Sequence, residues 1–255
     1  TPINNILNAL KGRNTIIISP SPSGQQVFQE LLNFINEELD KISAPKNLIQ
    51  TLPLPISKDL TKELMKQVDL VIVTGSQNNV REAYSSGTPA IGVGQGNVTI
   101  IIDETCDLKD AARKIKLSKT FDYATSCSSE NNLVVVKKVY DEFIKLLELE
   151  DGLLLNADQK KSLQNILWIT GKLNKNILAK SALTLCKEIG LKKDHSEKIQ
   201  FLIVEEQGIG KEYPFSGEKL SPVLSIYKAE DFQDAKSISN KILNYQGKGH
   251  SIGIY

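Results

Sequence analysis

A chain of 255 residues with a formal charge of +1 gives no electrostatic case for nucleic acid or an anionic membrane as partner. Its 40% hydrophobic and 24% charged residues suit a soluble protein that buries a core, as one large domain or two ordinary ones. Three cysteines with no Cys-x-x-Cys and only two histidines argue against a disulfide framework and a metal centre, no apolar run nears the ~20 residues of a membrane helix, and no signal-peptide pattern is read, so a cytoplasmic location is expected.

In chain order, a helix over 2–10 leads to a strand over 15–19. The opening on Thr1 straight into a helix, and the close on strand-like 251–255 without a stop signal, read as an internal piece of a longer polypeptide. Pro20-Ser21-Pro22-Ser23-Gly24 breaks the first strand and starts a long amphipathic helix ending near Ile42. A short strand over 48–54 is closed by Pro53 and Pro55, and a helix over 60–67 follows. The compact apolar strand 69–74 runs through Gly75-Ser76 into a helix over 79–84, and strands are expected at 89–94 and 98–102. The second half repeats the theme, with helices over 108–116, 139–149, 158–167, 176–189 and 232–243 and strands over 132–136, 201–204, 223–227 and 251–255. Lys192-Lys193 beside His195 reads as a solvated turn. Helices alternating with apolar strands predict parallel sheets covered on both faces.

Four stretches carry the chemistry. Cys127 lies in Lys119-Thr120-Phe121-Asp122-Tyr123-Ala124-Thr125-Ser126-Cys127-Ser128-Ser129-Glu130, polar on both sides, unlike the setting of a buried structural cysteine. Cys106 and Cys186 lie in no such run, and Cys186 falls on the core face of a helix. The other stretches are Leu10-Lys11-Gly12-Arg13-Asn14 to Ser19-Pro20-Ser21-Pro22, then Val73-Thr74-Gly75-Ser76 to Gly92-Val93-Gly94-Gln95-Gly96-Asn97, and Gly217-Glu218-Lys219-Leu220-Ser221-Pro222. Gly75-Ser76, between an apolar strand and a helix, offers backbone N–H groups to a pyrophosphate, though an ordinary strand-to-helix turn has the same spelling.

Taken in this order, the four stretches resemble the aldehyde dehydrogenase superfamily, and its CoA-acylating branch most closely. That branch holds the acylating sulfoacetaldehyde dehydrogenases and the aldehyde domain of bifunctional aldehyde–alcohol dehydrogenases. The resemblance implies an α/β fold of two Rossmann-like parallel-sheet domains. These are an NAD(P)-binding domain over 1–117 with its N-terminal part absent, and a catalytic cysteine domain over 118–255 with its C-terminal end missing. It implies Cys127 as nucleophile, Ser19 and Pro20 at the adenosine ribose, Gly75 and Ser76 at the pyrophosphate, and Glu218 at the nicotinamide ribose. An asparagine of an Asn-Pro pair that helps bind the oxyanion is expected before Thr1. His250 matches a Gly-His pair of acylating members, with no role assigned.

Gly92 stands where hydrolytic members carry the glutamate that activates water. A glycine cannot act as general base, and CoA needs less help than water because roughly 1% or more of a free thiol is ionised near neutral pH. The resemblance therefore implies oxidation of a small aldehyde with NAD or NADP and transfer of the acyl group to coenzyme A. The spelling around Cys127 is similar to the sulfoacetaldehyde enzymes, which make sulfoacetyl-CoA. A homo-oligomer is implied for the full-length protein, with no nucleic-acid or membrane partner. Two other readings stay open at this point: an acyl-phosphate reductase of the glutamyl-phosphate reductase type, and a non-catalytic fragment.

Overall fold

The computed structural model describes residues 2–191 and 198–255; Lys192, Lys193 and His195 lie outside the described residues. The chain divides into two units, one made of the segment up to Thr74 with Asn78–Gly92, the other of Gly75–Gln77 with Val93–Tyr255.

In the first unit the helical periodicity of the sequence becomes α1 (Pro2–Lys11), α2 (Gln25–Lys41), α3 (Lys58–Gln67) and α4 (Gln77–Tyr84). Strands β1 (Ile16–Ile18) and β2 (Ile49–Thr51) pair in parallel, with Ile16 opposite Ile49. Phe28 and Leu32, one turn apart on α2, join Ile6 of α1 over this pair and leave the polar face of α2 to solvent. Strands β3 (Val71–Thr74) and β4 (Ala90–Val93) form a second pair. Met65, Val80 and Ala83 pack against Val71 and Val73 of that pair. The Ser57 side chain caps α3 by accepting the Leu60 N–H at 3.1 Å.

The second unit is a six-stranded sheet, ordered β12-β5-β6-β11-β10-β7, in which each pair of neighbours is parallel. Its strands are β5 (Val98–Ile102), β6 (Glu130–Val136), β7 (Gly152–Leu154), β10 (Phe201–Glu205), β11 (Val223–Ala229) and β12 (Ile252–Ile254). Alternation along β6 sends Leu133 and Val135 to one face, against Ala112 and Ile115 of α5 (Leu108–Thr120) and Phe143 and Leu147 of α6 (Lys137–Leu149). Val134 and Val136 go to the other face, against Ala235 and Ile242 of α9 (Phe232–Tyr245). Along β10, Leu202 and Val204 pack with α7 (Ala157–Leu167) and α8 (Ala182–Glu188) around Leu163, Leu185 and Cys186. Burial on both faces explains why these strands read as continuous apolar runs.

The α/β class and the parallel sheets are as the sequence predicts, with three local differences. The helix expected over 176–189 is only α8: Ala179 takes a left-handed φ of 57°, and the Ser181 side chain caps a new start by accepting the Thr184 N–H at 3.2 Å. A short hairpin, β8 (Trp168–Ile169) to β9 (Lys172–Leu173), turns on Thr170 and Gly171, both with positive φ. The chain also divides at Gly92/Val93 rather than after Leu117, because α5 runs unbroken through Leu117 and β5 is hydrogen-bonded to β6.

Phe143 is fully buried between the sheet and α5. Phe143→Ala should therefore cost about 3–5 kcal/mol of stability, measured by urea unfolding.

Candidate active site

Cys127 sits on the turn between α5 and β6, three residues before that strand, and is exposed, whereas Cys186 is buried and Cys106 partly so. Burial pushes the Cys186 thiol up to about 11, so it stays protonated. Gly96 precedes β5 and Glu218 precedes β11, which places both at the amino edge of the parallel sheet with Cys127. A cavity of about 670 Å³ at the opposite, carboxyl edge, lined by Tyr140, Glu205, Glu206, Tyr227 and Lys228, belongs to neither of these loops.

Gly96 is the contact between the cysteine and the glutamate. A Cβ built on it would overlap the Cys127 carbonyl oxygen and stand 3.2 Å from Glu218 Oε1. The Gly96 N–H donates to the Glu218 carboxylate. Burial pushes the Glu218 carboxyl up to about 7, against that hydrogen bond and the nearby ammonium groups of Lys219 and Lys119.

Side-chain amides join the surrounding loops. Asn97 donates to the Ser216 carbonyl at 2.8 Å and the Gln246 carbonyl at 3.2 Å, and accepts from Asn132 at 2.8 Å. The Asn131 side chain accepts the Lys219 N–H at 3.0 Å, and the Gln246 side chain accepts the Glu218 N–H at 3.0 Å. Two buried lysines do the same with charge. Lys119 Nζ donates to the Glu130 carbonyl at 2.7 Å, and Lys219 Nζ to the Phe215 and Gly217 carbonyls at 2.7 and 2.9 Å. Burial pulls Lys119 down to about 7, against the attraction of Glu130 and Glu218. Lys219 is held well below the ordinary lysine range by burial and then by Lys119.

The backbone before the nucleophile is strained. Asp122, Tyr123 and Ala124 take φ of 48°, 50° and 59°, and the Thr125 hydroxyl holds the turn by donating to the Asp122 carbonyl at 2.9 Å.

Ser19, Pro20 and Gly92 lie in the first unit. Ser19 and Pro20 follow the carboxyl end of β1, with Ser19 Oγ 3.0 Å from the Thr61 hydroxyl. A Cβ on Gly92 would stand 2.8 Å from the Val80 side chain and 3.0 Å from the Tyr84 ring, so a carboxylate side chain there requires those side chains to give way. Gly75 takes φ 125°, open to glycine alone, with empty space where a Cβ would be, and Ser76 beside it at the start of α4 is exposed. Among the described residues no group of three or more His, Cys, Asp or Glu is placed to hold a metal ion, and no helix is long and apolar enough to cross a membrane.

The sequence reading missed Lys119 and Lys219 and the amide network. Lys119 left a signal: it shares the apolar face of Ala112 and Ile115, seven and four residues before it on α5, where a lysine stands in a core position.

The model of the aldehyde dehydrogenase family matches residues 1–150. The chain belongs to that family. It is 49% identical over 255 residues to the acylating sulfoacetaldehyde dehydrogenase of Cupriavidus necator, covering 100% of this chain and 52% of that protein. A crystal structure of an acetylating aldehyde dehydrogenase from Geobacillus thermoglucosidasius matches with a TM-score of 0.90 and 36% identity, over 97% of this chain and 54% of that one. The propionaldehyde dehydrogenase of Rhodopseudomonas palustris with bound propionyl-CoA matches with a TM-score of 0.85 and 28% identity, over 95% and 53%. The chain thus spans about half the length of these relatives.

Two outcomes test this geometry. Gly96→Ala drives a methyl group into the Cys127 carbonyl and should cost about 1–3 kcal/mol of stability, measured by urea unfolding. Glu218 ionises near 4.5 when unfolded and near 7 when folded, so between these values the folded state binds the extra proton and stability falls as pH rises. Glu218→Gln removes that loss; in urea titrations the variant should gain on wild type as pH rises from 5 to 7, by on the order of 1 kcal/mol, and hold a constant offset above.

Proposed function

We propose that the protein is a CoA-acylating aldehyde dehydrogenase that oxidises sulfoacetaldehyde to sulfoacetyl-CoA with NAD or NADP as hydride acceptor. The observation that carries this reading is the exposed thiol of Cys127 on a braced turn, with no side-chain carboxylate at position 92 to activate water. The identity to the acylating sulfoacetaldehyde dehydrogenase of Cupriavidus necator supports the substrate.

In this mechanism the Cys127 thiolate adds to the aldehyde carbon, forming a C–S bond and a thiohemiacetal oxyanion beside the nucleophile's own backbone N–H. Bound nicotinamide supplies a two-electron acceptor for the hydride that leaves this carbon, so the aldehyde is oxidised to a thioester on Cys127. The CoA thiolate then attacks the thioester carbonyl; the new C–S bond forms as the bond to Cys127 breaks, and Cys127 leaves as thiolate. The chain's own groups fit the cofactor. Glu218 would offer a buried carboxylate to ribose hydroxyls; the Gly75 N–H is spent on the Val93 carbonyl at 3.2 Å, so the bare backbone of Gly75 would serve the pyrophosphate by close approach rather than as a donor, and Ser19 and Pro20 of the first unit are the residues proposed for the adenosine ribose. No acidic side chain stands at Ser19-Pro20-Ser21-Pro22 to repel a 2′-phosphate, which leaves both nicotinamide cofactors open. The full-length protein is proposed to act as a homo-oligomer.

The test is formation of reduced cofactor from sulfoacetaldehyde. CoA-dependent turnover that is lost in Cys127→Ala, together with the covalent acyl adduct, is the expected outcome. Turnover only with an acyl phosphate, or cofactor binding with no turnover, overturns the reading.

A further inference from the structure

Lys119 has no part in the chemistry above, yet it is 1% exposed, at the last turn of α5 and immediately before the cysteine turn. A buried ammonium is costly unless other groups compensate it. Its Nζ donates a hydrogen bond across the whole turn to the carbonyl of Glu130, the first residue of β6. That bond ties together the two ends of the segment holding Cys127. The segment needs such a tie, because three consecutive non-glycine residues within it take left-handed φ, at a cost of about 1–2 kcal/mol each. The groups facing Lys119 are the Glu130 carboxylate from β6, the Glu218 carboxylate from the loop before β11, and the Lys219 ammonium, itself facing Glu206. Among the described residues Glu130 Oε2 is buried without a hydrogen-bond partner, and the Lys119 ammonium is a charge of opposite sign that acts on it.

We propose that Lys119 is a positioning residue: its bond to the Glu130 carbonyl closes the Cys127 turn at its base, and its charge couples that turn to Glu218. The proposal rests on the reading of Cys127 as nucleophile and Glu218 as the cofactor-binding glutamate. It explains why a lysine occupies a core position on α5 where an aliphatic residue would fill the same space. It also gives the turn a sensitivity to pH, since Lys119 and Glu218 both titrate near 7 and each favours the charged form of the other.

The test uses Lys119→Met and Lys119→Arg in the protein with its full chain. Two readouts are followed: CoA-dependent turnover, and the rate at which iodoacetamide alkylates Cys127 as a function of pH, read on the Cys127 peptide by mass spectrometry. The second does not depend on what reaction the protein catalyses. The methionine variant, checked for a wild-type circular dichroism spectrum, should lose about 100-fold in kcat with KM near wild type, as expected for a displaced nucleophile. Its alkylation profile should lose the inflection near pH 7 that Lys119 is expected to give the wild type. Lys119→Arg keeps the donor and the charge, and should recover most of kcat while the inflection stays absent. A folded Lys119→Met with wild-type kcat and an unchanged alkylation profile overturns the proposal. Should the methionine variant not fold, the arginine variant decides: an alkylation profile that keeps its inflection overturns the proposal, and loss of the inflection with recovered rate supports it. Absence of turnover in every form, with the alkylation profiles behaving as stated, overturns the functional reading and leaves the positioning role standing.

Discussion

The amino edge of the six-stranded sheet is held by polar side chains bonded to buried main-chain carbonyls, and the site's geometry depends on those bonds. A sheet satisfies its own backbone, but the loops that enter parallel strands do not, and each buried carbonyl left without a donor costs about 1–3 kcal/mol. Lys119 serves Glu130, Lys219 serves Phe215 and Gly217, and Asn97 serves Ser216 and Gln246. These bonds do more than satisfy the backbone. They join four loops that are far apart in sequence into one surface, on which Cys127 and Glu218 meet across the bare backbone of Gly96.

The location of this surface departs from the usual habit of open parallel sheets, which bind ligands at the carboxyl ends of their strands. Here Cys127 lies at the amino ends, and the cavity at the carboxyl edge takes no part in the cysteine loop. At an amino edge no strand-to-helix turn presents ready-made N–H groups, so the site is built from side chains. This accounts for the density of buried asparagine, glutamine and lysine around Cys127, where a carboxyl-edge site would rely on glycine turns.

Most of the fold was legible because its strands are apolar and its helices periodic; both signals come from burial, which the sequence records directly. Elements set by backbone conformation were not legible. The shortening of α8 follows from a left-handed Ala179, and the β8–β9 hairpin from left-handed Thr170, in residues whose identity carries no mark of it. The boundary expected near Leu117 rests on the cysteine run, while the hydrogen bonding that makes β5 part of the same sheet as β6 leaves no mark in the sequence. In the site, the motifs made Cys127 and Glu218 legible as candidates, and the fold brings the two together at Gly96. Gly96 and the lysines were not, since a glycine needed for contact and a lysine needed for a carbonyl bond are spelled like any others.

The electrostatic balance at this edge explains why its buried charges persist. Two ammonium groups and the carboxylates of Glu130, Glu218 and Glu206 lie within mutual influence. Burial lowers both lysines and raises Glu218, so each group alone is driven towards neutrality; the carboxylates favour charged lysines, while Lys119 opposes charge on Lys219. Replacing such a cluster with apolar residues often costs nothing in stability. Stability is therefore a weak reason to keep it. Geometry is a stronger one: a methyl or methylene in place of an ammonium cannot reach a carbonyl across a turn, and a turn with three left-handed residues has no intrinsic preference to stay closed. The cost of burying charge is in this sense tied to the position of one sulfur.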